Sequence, residues 1–427
     1  VVIAFLINTG VAQTLEEQIS NIFRDVLELQ LAGSPGSHGD HFIPARVNAS
    51  EAVISTLNNF IGSSVSSFPL SSTAAGLTFD FSSGRPVSTS TSFGPIFSER
   101  SQTIGEGLFN MGFNFTAINY TKIRGVNTED LKLAFTHQNV GSGANAILGS
   151  PAFEFDYIDF FPRMDINSSI FAFYFTYGIT DELDASVAVP FVNVHIKSDP
   201  FARINSYTYL STGQAAHQFG SDTTLPVLSK EFASLDDDAT GIGDIAIRLK
   251  YNFLKNATVD MASVLEYRMA TGDEKNFLGS GNDRFKLSVI ASKIMGDFAP
   301  HLNVSYELRN SSSQRDRLGL FVGYDQKITE TFTLALDFLG EFELGEQSKD
   351  LTFPDPLTIT RLDSTYSLVV EPTNLPDFKA DHLLNGAVGF KFNPRKSLMI
   401  IGNIFFPLND GGLRSKFIPT LGAEFNF

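Results

Sequence analysis

The chain has 427 residues, a formal net charge of -16, 41 Phe, no Trp and no Cys. The missing cysteine excludes disulfide scaffolds, thiolate zinc sites and cysteine nucleophiles. The acidic balance excludes a nucleic-acid partner, because phosphate contacts need clustered Lys and Arg. No apolar run reaches the roughly 20 residues of a spanning helix, so any membrane crossing is made by strands.

Residues 1–13, VVIAFLINTGVAQ, read as the remnant of a secretory signal peptide, a short apolar run followed by small residues; a buried first element is the alternative. From Thr14 the period becomes helical: Leu15, Ile19, Ile22, Phe23, Val26 and Leu29 share a face, and Thr14 stands three residues before Glu17 as a capping box. A Gly, Pro and His loop follows over 32–44, and Val53, Ile54, Leu57, Phe60 and Ile61 mark a second apolar face over 49–61. Residues 14–73 therefore predict a helical N-terminal plug, whose apolar faces have only a barrel lumen to hide in.

After Ala74 the period is two, and residues 74–427 predict an all-β, antiparallel transmembrane barrel. Phe109, Met111, Phe113 and Phe115 alternate with Asn110, Gly112, Asn114 and Thr116; Phe171, Phe173, Phe175 and Tyr177 point outward; Ile245, Ile247, Leu249, Tyr251 and Phe253 oppose Ala246, Arg248, Lys250 and Asn252. Runs at 77–81 and 131–137 are included, giving about fourteen strands, each near the length of roughly 9 to 11 residues that spans a bilayer. Short joints at 180–182, 255–257, 296–298, 327–330 and 393–396 alternate with longer ones, of which 198–242 and 345–380 are long outer loops. That two-beat rhythm is expected of a membrane barrel with periplasmic turns and outer loops.

The last strand, PTLGAEFNF, sets Leu421, Ala423, Phe425 and Phe427 against Thr420, Gly422, Glu424 and Asn426. An apolar and polar strand closing on Phe427 resembles the element by which outer-membrane assembly machinery recognises bacterial barrels. Its expected partner across the closing seam is the strand near Leu77 and Phe81.

On the polar faces of four consecutive strands stand Arg248 and Lys250; Asp260, Glu266 and Arg268; Arg284 and Lys286; Glu307 and Arg309. Lateral pairing makes this a lumenal charge ladder, which either stiffens one wall or lines a solute path. Around Pro190 the apolar set changes from Val187, Val189 and Phe191 to Val192, Val194 and Ile196, which predicts a wall bulge. Such a break serves packing or opens sideways toward lipid.

Five stretches carry a family resemblance: FGPIFSERSQTIGEGLFNMGFNF (93–115), YGITDELDASVAVPF (177–191), TGIGDIAIRLKY (240–251), ATGDEKNFLGSG (270–281) and SKIMGDFAPHLNVSYE (292–307). In this order they resemble the outer-membrane barrels of the family named for the meta-pathway of phenol degradation, distantly similar to the long-chain fatty-acid transporter barrels. The resemblance implies a plugged or partly plugged barrel in the bacterial outer membrane that takes up small hydrophobic or aromatic compounds.

His38, Asp40 and His41 form a fragment of a metal motif without a fourth ligand, and Asp236, Asp237 and Asp238 with Glu231 form an acidic loop that a calcium ion would suit. Both read more simply as polar loops, so no metal and no cofactor is expected. GxSxG, Walker and dinucleotide patterns are missing from any credible context, so an enzyme is not expected. The leading expectation is passive uptake of a small hydrophobic solute across the lipid bilayer, with Phe23, Phe42, Phe60 and Phe68 on the plug as the solute-binding candidates. A closed structural or surface-interaction barrel and an open polar porin are the alternatives.

Overall fold

The computed structural model describes residues 13–26, 30–31, 42–43, 61–62, 77–80, 85–88, 97–140, 147–222, 224–256, 258–311, 314–345, 355–363, 365–395 and 398–425. Among them, a closed antiparallel ring of twelve long strands forms the wall. In chain order these are β1 (Leu108–Ile123), β2 (Met164–Gly178), β3 (Leu183–Ser198), β4 (Ala246–Leu254), β5 (Asp260–Arg268), β6 (Arg284–Ser292), β7 (Phe298–Arg309), β8 (Asp316–Thr329), β9 (Phe332–Leu344), β10 (Leu383–Arg395), β11 (Leu398–Pro407) and β12 (Ile418–Phe425). Each pairs with its neighbour in sequence, and β12 closes on β1 with Thr420 opposite Thr116 and Phe425 opposite Met111.

Two expected wall strands lie elsewhere. Leu133–His137 belongs to a separate five-stranded sheet with Phe42–Ile43, Tyr157–Phe161, Phe201–Asn205 and Ser229–Glu231. Leu77–Asp80 forms a short hairpin with Arg85–Ser88 that joins the edge of the barrel sheet at the start of β1, with Phe79 opposite Phe109 and Asp80 opposite Leu108. The partner of the closing strand is therefore β1, not the strand near Leu77. Alternation alone cannot tell a wall strand from one in a loop sheet, because both bury one face. Phe427, Asn426 and Phe81 lie outside the described residues.

The joints keep the two-beat rhythm. The strand pairs β2–β3, β4–β5, β6–β7, β8–β9 and β10–β11, separated by two to five residues, close at one rim, where β1 also starts and β12 ends. The strands separated by longer stretches, β1–β2, β3–β4, β5–β6, β7–β8, β9–β10 and β11–β12, meet at the other. Period two then sorts the faces. Tyr177, Leu249, Tyr251, Leu287, Val304, Val322, Leu336 and Leu421 point out and stay exposed, while Asn110, Lys250, Glu266, Ser288, Asp325, Asn403 and Glu424 point in and are buried. A closed wall with every strand paired and an apolar exterior is the strand solution to crossing lipid. Without Trp, the outer rims use other rings, as where Tyr267 stacks on Phe285 at 4.7 Å.

β3 does not flip at Pro190. Its pairing with β2 runs from Asp184 to Ser198 without a shift, so the even residues face inward along its whole length. What changes is the surroundings. Up to Phe191 the outward side chains are apolar, and beyond it Asn193, His195 and Lys197 are polar, while the inward set Val192, Val194 and Ile196 packs in the buried core. The strand rises out of the lipid zone against an apolar interior. The break in pairing sits on the opposite chain: β3 pairs with β4 up to Ala188 and with Leu235–Ile242 from Phe191, residues 243–245 intervene, and the Gly243 amide donates to the Pro190 carbonyl at 2.8 Å.

Candidate lumenal site

The N-terminal helix α1 (Leu15–Val26) begins with the expected capping box: the Glu17 amide donates to Thr14 Oγ1 and the Thr14 amide to Glu17 Oε2, both at 3.2 Å. Its Leu15, Ile19 and Ile22 are buried in one cluster with Val192, Val194, Ile196 and Phe277. Gln18 donates to Asp237, which shares the inward face of its strand with Leu235 and Ala239, and the Leu15 amide donates to Asn276 Oδ1 at 3.1 Å. α1 thus sits against the inner wall at the long-loop rim. Burying three such side chains stabilises this placement by about 1.5–3 kcal/mol each.

A second segment, residues 97–104, runs as an extended strap across the lumen in its short-turn half. Its fastenings come from one wall strand after another. The Phe97 amide donates to Asp337 of β9 at 3.1 Å, and Ser98 also bonds Asp337. Asn303 of β7 accepts from the Glu99 amide at 2.6 Å and donates to the Glu99 carbonyl at 2.8 Å. Arg100 pairs with Asp325 of β8, Ser101 bonds Ser292 of β6, Gln102 donates to Asp260 of β5 at 3.1 Å, and the Ile104 amide donates to Asp184 of β3. Asn252 of β4 donates to the Ser101 carbonyl at 2.9 Å. The strap leaves through Gly105 at φ 99° and Gly107 at φ 72°, and a Cβ on Gly178 would lie 1.8 Å from the Gly105 carbonyl oxygen, so only glycine lets the chain pass there.

The predicted charge ladder faces inward as read from the sequence. Glu266 draws Arg248 and Arg268 to 3.1 Å and Lys286 to 3.5 Å; Arg309 meets Glu307 at 2.6 Å, and Arg284 meets Asp244 at 3.3 Å. Asp260 holds the strap's Gln102 rather than a neighbouring cation. The ladder continues past the predicted residues to Arg317, which pairs with Glu341 at 2.8 Å and Glu343 at 3.3 Å. Beside the strap lies a space of about 730 Å³, open solvent included, lined by Phe97 of the strap, by the cations Arg248, Arg268 and Lys286 of β4, β5 and β6, and by the rings of Tyr174 on β2 and Phe321 on β8 to either side of them. A smaller space of about 320 Å³ lies nearer the short-turn rim, lined by Ile104, Asp184 and Lys250.

Of the four plug aromatics, only Phe42 has a described side chain; that of Phe23, and all of Phe60 and Phe68, lie outside the described residues. Phe42 is fully buried in the loop sheet, its ring 5.3 Å from His137 and 5.0 Å from His217, so it packs between histidines and lines neither space beside the strap. His38, Asp40 and His41 also lie outside the described residues. Asp236 pairs with His195, Asp237 with Gln18 and Asp238 with Asn193, so the three carboxylates do not converge. Among the described residues no group of three or more His, Asp or Glu is arranged to hold a metal ion.

The strap itself was not foreseen. Its sequence signal is plain in retrospect: six polar residues, Ser98 to Thr103, show neither helical nor strand periodicity and end at two glycines. Their partners Asp325 and Asp337 are buried carboxylates on inward phases of β8 and β9, with His301 of β7 between them, 3.1 Å from Asp337 and 3.8 Å from Asp325.

A closed wall with an apolar exterior, a polar and charged interior and a chain segment threaded through it defines a transmembrane β-barrel of the outer-membrane type. Within that class, residues 136–347 match the family described as putative MetA-pathway of phenol degradation, the family that the sequence resembles. Among solved structures, an outer membrane channel from Pseudomonas putida F1 is 13% identical with a TM-score of 0.42, covering 77% of this chain and 98% of that one. The TodX monoaromatic hydrocarbon channel, as its deltaS2 mutant, is 11% identical with a TM-score of 0.36 over 77% of this chain and 93% of that one. A FadL homologue from Pseudomonas aeruginosa is 9% identical with a TM-score of 0.33 over 75% and 90%. No curated protein sequence matches the chain.

Proposed function

We propose that this protein is a bacterial outer-membrane channel for passive uptake of small hydrophobic or aromatic compounds, gated from within by its own chain. The observation that supports the reading is the strap: a space lined by aromatic rings and cations lies beside it, and side chains of β3 to β9 fasten it across the lumen. The phenol-degradation family match supports an aromatic solute. In this reading the N-terminal segment 14–73 is the outer part of the plug and the strap the inner part. The solute is caught at the long-loop rim and released to the periplasm or sideways at the wall break near Pro190. The closing strand Ile418–Phe425, with Phe427 beyond it, is the element offered to the assembly machinery.

Flux of phenol into liposomes holding the full chain tests the channel, and deletion of residues 14–73 tests the plug. Flux above empty liposomes is expected, with a gain in ion conductance on deletion. Unchanged solute uptake and no gain in conductance after deletion would sink the gate. A second reading, a closed structural barrel, draws on the density of fastenings along the strap; it predicts no flux from the full chain and loss of partner binding when residues 345–380 are removed.

A further inference from the structure

Glu99 is the one carboxylate the strap carries into the lumen, and its place there is specific. Its side chain pairs with Arg248 of β4 and lies 3.7 Å from Lys250 Nζ, while its backbone is held on both edges by Asn303. Glu99, Ser186 and Arg248 line both spaces beside the strap, so these three residues form the partition between them. The register sets the order: Ser186 faces Arg248, and Asp184 faces Lys250 one step nearer the short-turn rim. The side chain of Glu99 is 14% exposed, which leaves the partition accessible from the larger space.

The chemistry around it is lopsided without Glu99. Arg248, Lys250, Arg268 and Lys286 would then share Glu266, Asp184 and Glu307, of which Glu307 is already paired with Arg309 at 2.6 Å and Asp184 already accepts from the Ile104 amide. Desolvated cations left without a counter-charge are costly. A neutral compound entering the larger space therefore cannot move Glu99 aside, whereas a compound carrying its own carboxylate replaces what it displaces. Phe97 on the strap, with Tyr174 and Phe321 flanking the cationic strands, presents rings to the rest of such a molecule.

We infer that Glu99 is an internal mimic of the ligand's anionic group. Among the small aromatic compounds that the channel takes up, the lumen favours carboxylates, whose binding on Arg248 and Lys250 frees Glu99, loosens the strap and joins the two spaces. This rests on the uptake reading above and gives it a substrate class and a trigger.

The test uses the full chain in lipid nanodiscs with benzoate and its neutral isostere nitrobenzene as probes. The natural chain has no cysteine, so a single Ser101→Cys, at a fully buried strap position, reports strap release through its rate of thiol labelling. Benzoate is expected to raise that rate roughly tenfold and nitrobenzene to leave it unchanged. Glu99→Gln, close in shape, is expected to bind benzoate roughly tenfold more tightly, since one competing carboxylate is gone. Arg248→Gln is expected to lose benzoate binding, with the heat-shifted gel mobility of a folded barrel as its control. Equal labelling with both probes, or unchanged benzoate affinity in Glu99→Gln, overturns the inference. If phenol enters liposomes but benzoate neither binds nor frees position 101, the channel stands and this inference falls. If no aromatic compound enters, the uptake reading falls first.

Discussion

Arg100 on the strap donates from Nε to Asp325 Oδ1 at 2.9 Å and from a terminal nitrogen to Oδ2, and the two side chains are 4% and 0% exposed. A bidentate pair so enclosed anchors a segment that has no regular structure of its own. Removing one partner strands the other charge, at about 3–5 kcal/mol. Arg100→Leu should therefore lower the thermal midpoint of the folded barrel and raise ion conductance in planar bilayers. Combining it with Asp325→Leu should restore most of the stability and none of the closure. A double variant as silent as the natural chain would show that Arg100 does not hold the lumen shut.

Orientation has a direct check, again because natural cysteine is missing. Leu225 at the long-loop rim is 76% exposed, and Asn256 lies in a short turn at the other rim. A cysteine at 225 should react with an impermeant maleimide on intact cells. One at 256 should react only after the outer membrane is permeabilised. The reverse pattern would invert the barrel.

The helix α1 is docked by apolar contact and by hydrogen bonds to Asn276 and Asp237, and its first turn is held by a capping box. Ile19→Ala should weaken its docking by about 2–5 kcal/mol, and Thr14→Ala by about 1 kcal/mol. Both should appear as lost amide protection across Leu15–Val26, with the wall strands unchanged. Loss of protection spread through β1 to β12 would mean that the helix supports the barrel rather than resting in it.

Asp156 organises the outer loops. It is fully buried and accepts hydrogen bonds from His217 Nδ1 at 2.8 Å, the Tyr207 amide at 2.7 Å and Ser206 Oγ at 3.1 Å. Asp156→Ala leaves these donors without their acceptor, a loss of about 1–3 kcal/mol for each. Hydrogen exchange should rise over 206–218 while the folded-barrel gel shift is kept.

The closing seam tolerates no bulk at Gly422. A Cβ there would lie 2.8 Å from the Phe113 carbonyl oxygen and 3.1 Å from Asn114 Cβ. Gly422→Val should cut the folded fraction recovered in detergent, whereas Leu421→Val, on the exposed outer face, should not. Equal yields would place the seam elsewhere.

Most of the wall was legible because its signal is local. The alternation of Ile247, Leu249 and Tyr251 with Arg248 and Lys250 states which side meets lipid, and short joints such as 179–182 state which strands are hairpins. Leu133–His137 shows where that signal ends, since a strand in an outer sheet alternates as well as one in the wall. At Pro190 a change of environment along one straight strand imitated a change of register.

The sequence by itself determined a strand-built membrane barrel, its inward charges and the helical period and cap of α1, because period, charge and capping depend on near neighbours along the chain. Only the tertiary structure decided that β12 closes on β1, that Phe42 packs between two histidines and that residues 97–104 cross the lumen. Those depend on pairings between residues far apart in the chain, such as Thr116 with Thr420, 304 positions away. An irregular strap has no period to announce it; it is defined by the wall side chains that hold it.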